Sequence, residues 1–169
     1  MNRHMHVCLA GMLALLLAVP WSACSQPASL VGSAAPRISG TAADGVRVDV
    51  PVAGQVTVVA FWNSRYRLSL DALSGIERVY REYRSKGLVC VGVNDAGESS
   101  SSMNTVRASL GLTFPLVGGA VGPNAAAAYR LQGVPAVFIV DRSGDIDSAY
   151  GGWDKSVEAA VKQRVATLL

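Results

Sequence analysis

Residues 55–62, Gln55-Val56-Thr57-Val58-Val59-Ala60-Phe61-Trp62, are rich in β-branched side chains and almost wholly apolar. Such a run has no polar face to turn to water, so it predicts a central strand buried on both sides. Downstream, Leu70, Leu73, Ile76, Tyr80 and Tyr83 recur at spacings of three and four, the stripe of an amphipathic helix. Gly87 ends that helix, and residues 88–93 (LVCVGV) read as a second buried strand. A strand, helix and strand of these lengths imply a parallel pair with a right-handed crossover.

The flanks extend the same alternation. Residues 46–50 (VRVDV) alternate apolar and polar, as a half-exposed strand does. Residues 98–102 (ESSSS) read as a solvated loop, because runs of serine bury nothing. Short helices are expected over residues 103–110 and 124–131. Residues 137–141 (VFIVD) make a third apolar strand, residues 142–145 (RSGD) a turn, and residues 146–150 the antiparallel return. Val157, Val161, Val165 and Leu168 mark the inward face of a last helix, with Asp154 as its cap. The fold class is α/β, a central mixed β-sheet with helices on both faces.

Composition narrows the function. The chain has 169 residues, half of them hydrophobic and 16% charged, which excludes a disordered body. A net charge of +3 is too mild to imply nucleic acid, and no nucleic-acid motif, phosphate loop or metal-ligand spacing occurs. No cofactor and no metal are implied. Arg3, the apolar run over residues 7–19 and the small residues before Cys24 read as an export signal over residues 1–23. That apolar run is shorter than the roughly 20 residues a spanning helix needs. A short anchor that stays attached is the alternative. Ser22-Ala23-Cys24 resembles a bacterial lipoprotein cleavage box, which implies lipid attachment at Cys24, although Trp21 stands where that family usually has an aliphatic residue. Ordinary cleavage with Cys24 left as a free thiol is the other reading. Residues 24–36 are small, polar and proline-bearing, a flexible tether before a domain over residues 37–169. The two histidines, His4 and His6, fall inside the signal, so the mature chain has no Ser-His-Asp or Cys-His site.

Residues 58–64 (VVAFWNS), the polar loop and the long helix resemble the thioredoxin-like superfamily, in particular its membrane-tethered extracytoplasmic TlpA/ResA type. Residues 133–144 (GVPAVFIVDRSG) resemble the family's second anchor, in which a cis-proline precedes the third strand; Pro135 matches it. The resemblance implies a thioredoxin fold. It also implies that Val134, just before the cis-proline, pairs through its main chain with an extended client peptide, as in strand addition. The plainer reading has Pro135 only shaping a turn.

The family's Trp-Cys-x-x-Cys falls on Arg65, Tyr66, Arg67, Leu68 and Ser69. Exchange begins with a thiolate attacking a disulfide, and the oxygen of Tyr66 or Ser69 cannot form that mixed disulfide. Cys90 lies within the apolar run 88–93, where a core role is expected and burial would raise its pKa. Arg65, Arg67, Arg78, Arg81, Arg84 and Lys86 gather along the first helix against Asp71, Glu77 and Glu82. They read as a solvated face or as a site for acidic partners or lipid headgroups. The expectation is therefore a redox-inactive extracytoplasmic lipoprotein, a module binding a protein or peptide client in the bacterial envelope, facing the periplasm. The alternative is a thiol–disulfide oxidoreductase, or related redoxin, that uses Cys90 or an atypical site.

Overall fold

The computed structural model describes residues 30–169. The segment expected to be an export signal, residues 1–23, and Cys24 lie outside the described residues. β1 (Ile38–Thr41) and β2 (Arg47–Val50) form an antiparallel hairpin apart from the main sheet. The main sheet is built from β3 (Thr57–Trp62), β4 (Val89–Asn94), β5 (Leu116–Val117), β6 (Ala136–Val140) and β7 (Ile146–Gly151). Its order is β5-β4-β3-β6-β7, with β3, β4 and β5 parallel and β6 and β7 running antiparallel to their neighbours. The helices are α1 (Arg67–Tyr83), α2 (Ser100–Leu110), α3 (Val121–Ala128) and α4 (Lys155–Leu168).

Every residue of β3 is buried, as its sequence requires of the middle strand. The two-residue period of a strand divides its side chains between two cores. Val58, Ala60 and Trp62 join Cys90, Val137 and Ile139 beneath α1, α2 and α4. Val59 and Phe61 join Val91, Val93, Phe138 and Val140 beneath the β1–β2 hairpin, α3 and Tyr129. Among the described residues no helix is long and apolar enough to cross a membrane.

Three local readings change in the folded chain. The serine run is not a loop: Ser100–Ser102 form the first turn of α2, and Ser99 caps it by accepting from the Ser102 amide (3.2 Å). Helix α3 begins at Val121, earlier than expected, because Gly122 fits where a Cβ would lie 1.8 Å from the Asn94 carbonyl oxygen. Residues 32–35, assigned by composition to the tether, bond to the β6–β7 hairpin: the Gly32 amide donates to Ile146 (2.7 Å) and the Ala35 amide to Gly144 (2.9 Å). β1 and β5 have no signature in the sequence. At the other end, Asp154 caps α4 by accepting from the Val157 amide (2.8 Å).

Helix α1 crosses Trp153 at Gly75, where a Cβ would stand 2.3 Å from the indole Cζ2. Gly75→Ala must displace that ring, and overpacking of this kind costs about 1–3 kcal/mol. The urea midpoint is expected to fall accordingly, with a change in tryptophan emission; an unchanged midpoint would refute the close packing.

Acid should also unfold the protein in a defined window. Hydrogen bonding from Arg164 holds the Asp147 carboxyl below its ordinary value, and Ser156 with the Val157 amide does the same for Asp154. Their stabilisation is complete above about pH 4 and is lost as acid carries each through its lower folded-state pKa. Chemical denaturation as a function of pH is expected to show stability falling below about pH 4, and less steeply in Asp147→Asn.

Candidate functional site

The chain leaves β3 through Asn63 and Ser64 and enters α1 at Tyr66, its N-cap. The Asn63 side chain holds this turn from both ends. Its Oδ1 accepts from the Arg65 amide (3.0 Å) and its Nδ2 donates to Asp95 (3.1 Å). The Tyr66 side chain makes no cap bond and is 55% exposed, beside an exposed Leu68. Ser69 points into the protein with no exposed surface, and its buried hydroxyl has no hydrogen-bond partner. The helix start therefore presents a phenol, an aliphatic side chain and two arginines. It presents no sulfur.

A carboxylate missed at the sequence level secures this turn. Glu98 follows β4, accepts from the Ser64 amide (3.1 Å) and from the Ser102 hydroxyl (3.1 Å), and ties its own amide to Asn94 Oδ1 (2.9 Å). Desolvation pushes its carboxyl up, but the polar groups of Asn94, Ser64 and Ser102 outweigh that and hold it below the ordinary glutamate value. The available sequence signal was serine at the start of a helix, where a hydroxyl serves as a cap.

The second expected region lies at the same end of the sheet. The Val134–Pro135 bond is cis. Phe61 pairs with Ala136, so the continuing antiparallel register sets Pro135 level with Trp62, where the chain departs for α1. Pro135 is buried and its carbonyl accepts from the Gly152 amide (2.9 Å), whereas Val134 makes no main-chain hydrogen bond among the described residues. Val134 and Pro135 line a cleft of about 510 Å³ with Tyr129, Leu131 and Phe138. Tyr66 and Ser69 do not line it, so the two predicted groups share an end of the sheet without sharing this cavity.

Cys90, the one cysteine among the described residues, is 2% exposed in the core under α1. Burial, with the negative charge of Glu77, pushes its thiol well above the ordinary cysteine value. Three of the six cations gathered along α1 are paired with carboxylates. Arg67 pairs with Asp71 (3.0 Å), Arg78 with Glu158 (2.7 Å) and Arg81 with Glu77 (2.6 Å), while the Lys86 ammonium lies over the Tyr83 ring. Arg65 and Arg84 have no acidic partner among the described residues.

Comparison with known proteins follows from this geometry. A thiol:disulfide interchange protein of the thioredoxin family from Chlorobium tepidum superposes with a TM-score of 0.71 at 20% identity, covering 80% of this chain and 95% of its own. The thioredoxin domain of a thiol-disulfide oxidoreductase from Bacteroides vulgatus gives 0.68 at 19% identity, covering 80% and 97%. StoA from Bacillus subtilis gives 0.63 at 19% identity, covering 76% and 96%. At these identities the likeness is one of fold: this chain has the thioredoxin fold. No curated protein matches the sequence. A model of the AhpC/TSA family matches residues 31–149, from the segment laid on the β6–β7 hairpin to the middle of β7, and on that match the chain belongs to the AhpC/TSA family of thioredoxin-like proteins.

Proposed function

We propose that this protein is a redox-inactive binding module that holds a protein or peptide client outside the cytoplasm, tethered to a membrane of the bacterial envelope by a lipid on Cys24. The observation that carries the reading is the distribution of sulfur. Tyr66 and Ser69 stand at the cap and first turn of α1, where the resemblance puts the family's cysteine pair, and Cys90 is buried in β4. A thiolate must be reachable to attack a disulfide, and a thiol with no water around it and a raised pKa supplies almost none. Binding needs no thiol. The main chain of Val134, unpaired among the described residues, lies beside cis-Pro135 and supports pairing with an extended client, the role its family resemblance implies.

The structural neighbours named as thiol–disulfide interchange proteins and oxidoreductases support the competing reading, a thiol–disulfide oxidoreductase working through Cys90 or an atypical site. Insulin reduction by the purified full-length chain and its Cys90→Ser variant separates the two. Both are expected to match buffer. Turnover abolished by Cys90→Ser would make that thiol the catalyst and overturn the binding-only reading, and turnover that survives the substitution would overturn it through chemistry elsewhere.

The anchor is tested by mass. The mature N-terminus is expected to be Cys24 carrying acyl chains, and an unmodified residue 24 would remove the lipid tether from the proposal.

A further inference from the structure

Tyr66 and Leu68 stand at the start of α1, 55% and 44% exposed. Among the described residues, the other large apolar side chains left exposed are Val31 and Val46. Arg65 and Arg67 alternate with them and are exposed as well. Arg67 pairs with Asp71 at the surface, a pairing of little energy that a phosphate can replace. Arg65 pairs with no acid among the described residues. The remaining carboxylates nearby are engaged in the turn behind: Asp95 accepts from Asn63 Nδ2 (3.1 Å) and Glu98 from the Ser64 amide (3.1 Å). The Arg67 and Leu68 amides, the first two of α1, donate to no described residue, so the positive end of the helix adds to the same surface. An aromatic and an aliphatic side chain interleaved with arginines suit the boundary between lipid headgroups and acyl chains.

The point where the chain enters the domain decides which surface can face a bilayer. Leu30 lines the cleft with Pro135 and Gly152, and Pro135 is level with Trp62, the last residue of β3 before the turn into α1. Residues 25–29 join Cys24 to Leu30, a length of chain that spans at most about 20 Å. A domain of this size is roughly 35 Å across. A lipid on Cys24 would therefore hold this end of the sheet toward the bilayer and keep the opposite end away from it. Arg84 supplies the contrast. It too is exposed and has no acidic partner among the described residues, but the rise of the helix sets it about 25 Å from Arg67.

We propose that the start of α1 docks on the phospholipid surface of the membrane that holds the anchor. Tyr66 and Leu68 enter the headgroup region, and Arg65 binds lipid phosphate together with the Arg67 and Leu68 amides. Docking fixes the orientation of the domain, with the end of the sheet that carries Val134 toward the bilayer. This goes beyond client binding and rests on the lipid at Cys24, which supplies the short tether.

The test is tryptophan fluorescence of a Leu68→Trp variant, expressed from the full sequence and reconstituted into vesicles of phosphatidylethanolamine and phosphatidylglycerol. Part of the lipid carries bromine on its acyl chains. Trp62 and Trp153 are buried, so wild-type protein in the same vesicles gives the background. The introduced indole is expected to shift to the blue and to be quenched by the brominated chains. Adding Arg65→Gln should lower the docking equilibrium about fivefold, and adding Arg84→Gln should leave it unchanged. Quenching no greater than in wild type would overturn the docking, and a mass spectrum showing acylated Cys24 in that same sample would leave the tether reading standing. An equal loss from Arg84→Gln would overturn it too, by laying the whole of α1 on the membrane. An unmodified Cys24 would remove the tether and this inference with it.

Discussion

Thr57–Trp62 cannot face water on either side, and the rest of the molecule is arranged around that constraint. Its six residues are all buried, hydrogen-bonded on one flank to parallel β4 and on the other to antiparallel β6. A strand of this kind needs a helical or sheet layer above and below it. Helices α1, α2 and α4 supply one cover; α3 and the β1–β2 hairpin supply the other. Close approaches at Gly75 and Gly122 follow, because the covers must come near enough to exclude water from large side chains such as Trp62 and Phe61.

The same strand positions the candidate site. β3 ends at Trp62 and burial one residue later at Asn63, where the turn through Asn63 and Ser64 hands the chain to α1. Asn63, Asp95 and Glu98 hold that turn with directional hydrogen bonds. The scaffold thus keeps a hydrogen-bonded helix start whose side chains, Tyr66 and Leu68 outward and Ser69 inward, carry no sulfur. Positive charge at this end of a helix opposes the macrodipole, and the Arg67–Asp71 pair relieves part of that opposition.

The cleft around Pro135 depends on small residues in an edge strand. Edge strands expose unpaired main-chain groups, and proteins commonly cover or interrupt them. Here residues 32–33 cover Ile146, and no described residue pairs with the outward side of Ala149. One end of β7 is therefore paired with residues 32–33, and among the described residues nothing pairs with the outward side of the other end, beside an apolar hollow.

The sequence by itself determined the strand–helix–strand unit, the final β-hairpin, the Asp154 cap and the core placement of Cys90, because apolar periodicity and chain connectivity are local properties. It also determined that no thiol begins α1. Tertiary structure alone decided the pairing of β1, β5 and residues 32–35, since short strands gain their stability from partners distant in sequence. Glu98 was legible only as part of a serine-rich stretch; its role arises because β4 ends beside the β3–α1 turn. The outward turn of the Ala149 and Gly151 main chain was likewise invisible, because the parity of a ladder, and with it which amides face outward, is fixed by a bulge and a register that exist only when the strands have paired.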